Sequence, residues 1–182
     1  MKAKVFLVCL VAAFATLGST CVNENIQVPL NVALADSFKI NPGSNLNYSG
    51  DTLIVMEDLV EEAFRQNITA ARFYDIRVWV TGTYNGSVVG GVVTINNLPL
   101  LNYAGPWDSF KKPQSLLGKS PLITVSTPGY NELMRVLNQF PSNPKLTVLL
   151  ASTGLLSGQS PVPAGLMVHY EILTQADADI SP

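Results

Sequence analysis

Histidine occurs once in the 182 residues, cysteine twice, and charged side chains make up only 13% of the chain. Each scarcity removes a class of function. A single imidazole, His169, cannot build a His-rich zinc site. A Ser-His-Asp arrangement would have to use that same residue, without the GxSxG elbow that marks one large class of such enzymes. With Cys9 inside the apolar N-terminal run, a mature chain keeps only Cys21 and forms no internal disulfide. Lys and Arg number 11 against 13 acids, which does not suit nucleic acid or an anionic bilayer, since both need clustered cations. The longest apolar run falls short of the roughly 20 residues that a membrane-spanning helix requires. Nothing repeats internally, and there is no low-complexity tract.

What is present begins at the N-terminus. Lys2 and Lys4 precede the apolar run Val5 to Leu17, the basic region and short apolar region of a secretory signal peptide. Gly18, Ser19, Thr20 and Cys21 follow, and they resemble the lipobox of bacterial lipoproteins, although Gly18 stands where that family usually has Leu and Leu17 lies one place earlier. The resemblance covers the first 21 residues only. It implies cleavage before Cys21, a lipid anchor on that residue and attachment to a membrane through it. Ordinary secretion after Gly18 or Thr20 is the competing expectation. Loss of residues 1–20 removes two lysines and no acid, leaving nine basic against 13 acidic side chains and a net charge of −4. The expected organisation is a signal peptide over 1–20, a tether over 21–25 and one domain over 26–182. The short, lysine-led leader favours a bacterium, in which the sequons at Asn47, Asn67 and Asn85 would carry no glycan.

The stretch Arg72 to Asn96 carries the clearest fold signal. Asn85-Gly86 is the pair that a type I′ turn favours, so the flanking runs are expected to close as a hairpin. Val80 would then pair with Gly91, Val78 with Val93 and Ile76 with Ile95 on a buried face. Asp75, Arg77 and Trp79 would alternate onto the other face. Upstream, Val28, Leu30, Val32 and Leu34 alternate with polar and small residues, and the period continues to Phe38 and Ile40, which predicts a half-buried strand. Pro29 places that strand at a sheet edge. Met56, Leu59, Val60, Ala63 and Phe64 share a helical stripe, predicting a short helix over 57–66. The segment 97–120, rich in Pro, Gly and Ser, reads as a long ordered excursion. Leu122 to Ser126 reads as a strand. Thr127-Pro128 opens a second helix with a stripe of Leu133, Val136, Leu137 and Phe140. Leu146 to Ala151 predicts a strand buried on both faces, a loop follows over 152–164, and the last strand is expected over 165–174. Without βα alternation, this pattern predicts a mainly antiparallel β-sandwich, immunoglobulin-like or related, of six to seven strands and two short helices.

Candidate chemistry is sparse. Gly118, Lys119 and Ser120 resemble the end of a phosphate-binding loop, but the required glycine is Pro113 and no strand precedes it. Ser142 and Lys145 have SxxK spacing but follow a helix, enclose Pro144 and lack companion motifs. Asp177 and Asp179 could offer oxygen ligands to Ca²⁺ if Glu57 or Asp58 came close; a solvated tail is the simpler reading. Trp107, Tyr103 and Trp79, with Asp108 nearby, could stack on a sugar or anchor a protein, whereas a sandwich commonly buries such rings in its core. Two functional expectations follow. The first is a lipid-anchored, non-enzymatic module of a bacterial cell envelope, on the outer membrane, with an envelope protein or a glycan as partner and no cofactor. The second is a secreted carbohydrate-binding module that uses those aromatics.

Overall fold

A computed structural model describes residues 26–43, 46–60, 67–86, 88–158 and 161–180. Nine strands and one α-helix occur among them: β1 (Ile26–Lys39), β2 (Asn47–Val55), β3 (Ile68–Thr81), β4 (Val88–Ile95), β5 (Leu98–Pro106), β6 (Gln114–Ser115), β7 (Ile123–Val125), α1 (Thr127–Gln139), β8 (Thr147–Ser157) and β9 (Met167–Ile180). They form two sheets, ordered β1-β9-β3-β6 and β2-β8-β4-β5-β7, with antiparallel neighbours throughout. The molecule is an antiparallel β-sandwich. Its strand order is that of a jelly roll, with β7 added at one edge.

The expected hairpin between β3 and β4 does not form. β3 pairs with β9 and β6, so Ile76, Val78 and Val80 lie opposite Ile172, Tyr170 and Val168. β4 belongs to the other sheet, where Gly91 lies between Gly154 and Tyr103. The burial pattern expected of β3 holds nonetheless, since Ile76, Val78 and Val80 are 1, 0 and 2% exposed. Burial of each such side chain is worth about 1.5–3 kcal/mol. That apolar face can be covered equally well from the opposite sheet, so burial does not fix the pairing. Gly86 does not adopt positive φ. It lies beneath the ring of Tyr84, which is buried and donates its hydroxyl to the Ser157 carbonyl at 3.1 Å. The segment therefore crosses between sheets.

The two-residue hairpin turn lies eleven positions later. Asn96 and Asn97 have φ of 48° and 66°, and Ile95 pairs with Leu98 across them. Asparagine tolerates this left-handed conformation because its short polar side chain bonds locally. The Asn96 side chain here bonds to distant segments: its Oδ1 accepts the Leu149 N–H of β8 at 2.9 Å, and its Nδ2 donates to Glu132 of α1 at 2.6 Å. The predicted excursion after residue 97 instead begins with β5, followed by a 3₁₀ turn at Trp107–Lys111 and by β6.

β1 lies at a sheet edge, as Pro29 requires. Helix α1 opens at Thr127-Pro128 and buries Leu133, Val136 and Leu137, with Phe140 buried just beyond its end. Its Gly129 rests directly on the β5 backbone at Pro99 and Leu100. The earlier helix is expected over 57–66. A 3₁₀ turn covers Met56–Leu59, and residues 61–66 lie outside the described residues. β8 buries alternate residues and not both faces. β9 runs to Ile180 and pairs with β1 along its whole length.

The core includes polar groups. Tyr48, Gly154, Gly91 and Tyr103 form one row across β2, β8, β4 and β5. The tyrosine hydroxyls meet over the two glycines at 2.5 Å, and Ser152 lies 3.3 Å from that of Tyr103. Burial pushes both phenols above their ordinary range, so both stay neutral. At the sandwich edge, Thr52 of β2 donates to the Asp36 carboxylate of β1. Phe38 stacks on Tyr170 at 5.2 Å, whose hydroxyl is pushed up by burial and by Asp36.

Candidate functional site

The polar, partly covered outer face of the four-stranded sheet collects most of the side chains with functional chemistry. Strand alternation puts Arg77, Trp79 and Thr81 outward, because Val78 and Val80 point inward. His169 lies directly opposite Trp79. Their rings stack with centroids 5.1 Å apart and planes 9° from parallel, and Thr81 Oγ1 lies 2.9 Å from His169 Nε2. Burial against Trp79 pushes the imidazole below its ordinary value.

Two residues back along β3, Arg77 reaches Asp75 at 3.1 Å and Glu171 at 3.6 Å. Expected on the outward face, Asp75 is instead only 1% exposed. A register shift between Phe73 and Asp75 and the loop after β6 enclose it. Its carboxylate accepts the Ser115 hydroxyl at 2.7 Å and the Leu117 N–H at 3.0 Å. Burial works against the charge, but the bonds from Leu117, Ser115 and Arg77 outweigh it and hold the carboxyl below its ordinary range. Asp75 therefore anchors a loop, and its oxygens are engaged. His169 faces an indole and a hydroxyl, while Glu171 faces Arg77. This face can stack on a flat group and exchange hydrogen bonds.

The aromatic residues expected to bind a ligand separate. Trp79 stays on the outer face. Trp107 and Tyr103 are 1 and 2% exposed, which corrects their placement as exposed stacking surfaces. Alternation along β5 turns Tyr103 inward, and Trp107 begins the 3₁₀ turn, packing edge-on against Tyr84 at 5.2 Å. Asp108 is exposed and pairs with Lys111 at 2.6 Å. Asp177 and Asp179 lie within β9 and not in a solvated tail. Arg72 holds Asp177 at 2.6 Å, and among the described residues no group of three His, Cys, Asp or Glu side chains comes together. Cys21 lies outside the described residues.

Sequence reasoning did not single out Tyr48, Ser152 or the glycines beneath the tyrosines. Alternation along β2 and β8 carried a faint signal for them, in that Tyr48 and Gly154 share the phase of Ile54 and Val148.

No family model matches the chain, and no curated protein matches it. Among solved structures it is similar to a chain of desmodium yellow mottle tymovirus, at 8% identity and a TM-score of 0.32 over 94% of this chain and 98% of that one. It is similar to one of tobacco necrosis virus at 8% identity and 0.39, over 86 and 84%. The figures for turnip yellow mosaic virus are 13% and 0.35, over 85 and 97%. Likeness at this level carries no argument about function.

Proposed function

We propose that this chain is exported and held by a lipid on Cys21 at a bacterial cell envelope, on the outer membrane, where its sandwich serves as a non-enzymatic binding or structural module. One observation carries the reading: a lysine-led apolar run leads into Cys21, and β1 begins only a few residues later, at Ile26. A tether that short holds the domain close to the membrane surface. The acidic balance of the chain leaves the lipid as the means of attachment. Intact mass of the mature protein from membrane and soluble fractions tests this. Expected is a membrane-bound species starting at Cys21 with added acyl mass, released to the soluble fraction by Cys21→Ser. An unlipidated mature chain starting elsewhere overturns the anchor.

The second reading is a secreted carbohydrate-binding module. The outward placement of Trp79 beside His169 favours it, although that reading now proceeds without the rings of Trp107 and Tyr103. Tryptophan fluorescence titrated with a glycan panel tests it: a change lost in Trp79→Ala supports it, and a flat response across the panel refutes it.

A further inference from the structure

On the far side of the molecule, the outer face of the five-stranded sheet is hollowed into an open trough of about 730 Å³, within the usual range for small-ligand sites. Two outward rows of side chains form it. Asn47, Leu155 and Gly90 lie in register across β2, β8 and β4, and Ser49, Thr153, Val92 and Asn102 lie in register beside them across β2, β8, β4 and β5. Four strands cover three spacings of about 4.8 Å, so the trough is roughly 14 Å across.

The hollow exists because Gly90 offers no side chain at its centre. A Cβ there would lie 3.3 Å from the Tyr103 carbonyl oxygen and 3.5 Å from the Ala104 side chain. The floor is braced from inside, where Tyr48 donates to the Gly90 carbonyl at 3.2 Å and meets the Tyr103 hydroxyl above Gly154 and Gly91. Those buried bonds fix the strands before any ligand arrives.

The lining has a definite chemistry. Among the described residues, no Lys, Arg, Asp, Glu or His lines it. Its polar groups are carboxamides and hydroxyls, each able both to donate and to accept, and Val92 and the half-exposed Leu155 supply apolar surface between them. A phosphate or carboxylate would find no cation there, and an ammonium group no anion. Sugar hydroxyls also donate and accept, and a pyranose has one apolar face.

We infer that this trough binds a neutral oligosaccharide, through Asn102, Thr153 and Ser49 over the Gly90 floor. The inference deepens the reading of the chain as a binding module and is independent of the anchor on Cys21. It also puts the glycan on the opposite sheet from Trp79.

The test uses the full mature chain carrying Cys21→Ser, labelled with ¹⁵N and titrated with cellohexaose, maltohexaose and chitohexaose. A galacturonic acid hexamer and a blocked uncharged peptide serve as contrasts. Expected are amide shifts at Gly90, Asn102 and Thr153 with a neutral hexaose. Affinity should fall at least about tenfold in the near-isosteric Thr153→Val, as in Asn102→Ala, since each removes a hydrogen-bonding partner, while melting temperatures hold. Silence with all three neutral sugars up to about 10 mM overturns the inference. So do shifts confined to Trp79 and His169, affinity in both variants unchanged from the parent chain, or tighter binding of the acidic hexamer or the peptide. Membrane release of Cys21→Ser is read separately, so failure of the trough and failure of the anchor are distinguishable.

Discussion

Two asparagine-led turns lie eleven residues apart, and the one with the stronger local signal is not the hairpin. Asn85-Gly86 has the pair that a type I′ turn favours, yet its segment crosses between sheets beneath Tyr84. Asn96-Asn97 has a plainer signal, yet both residues adopt positive φ and close β4 onto β5. Turn chemistry states what a backbone can do locally. Whether it does so depends on what the neighbouring chain offers, and the second turn is held by β8 through Leu149 and by α1 through Glu132.

The largest effect is expected where α1 meets the second turn's own strand. Gly129 lies against the β5 backbone at Pro99 and Leu100, so Gly129→Ala must push helix and strand apart. A loss of about 3 kcal/mol is expected in urea unfolding. Stability within about 0.5 kcal/mol of the parent protein would show that the helix does not clamp the hairpin.

Asn96→Ala removes both side-chain bonds and leaves an alanine at positive φ, with an expected cost of about 2–3 kcal/mol. Asn96→Gly relieves the backbone but not the bonds and should recover about 1 kcal/mol of that. Equal losses in the two variants would show that φ matters little there.

At the first turn, Gly86→Ala places a methyl group under the Tyr84 ring, whose far end must shift. About 1–2 kcal/mol is expected. If the segment were a regular type I′ hairpin, the Tyr84 variant Tyr84→Ala would relieve none of that cost; here the double variant should cost less than the sum of the singles.

The smallest effect lies on the outer face of β3. Burial holds His169 below its ordinary value of 6.5, so on acidification the unfolded chain takes up its proton first. Stability is therefore complete above that value and declines as the pH falls through it. His169→Gln should flatten this part of the pH–stability curve, and an unchanged slope would assign it to other groups.

How much was legible in the residues differs from element to element. β1, with its edge proline, and α1, with its Thr127-Pro128 start and apolar stripe, were readable because both rest on local periodicity and local backbone chemistry. β5 was hidden, since Pro99, Gly105 and Pro106 look like loop signals, and only pairing with β4 and β7 makes a strand of them. The stacked Trp79 and His169 were each recognisable as outward residues, but their meeting depends on the β3–β9 register, ninety residues apart in the chain. The trough was invisible, because its floor is a glycine and its lining comes from four strands.

Alternation by itself determined that this chain builds sheets, which side chains of β3 enter the core and that the whole is a two-layered β-sandwich, because burial of every second residue is a property of one strand alone. Which strand lies beside which, which rings stay open to solvent and where the hollows fall were decided only in three dimensions. An apolar face is satisfied by any cover of the right shape, and selecting one cover among several requires the rest of the molecule.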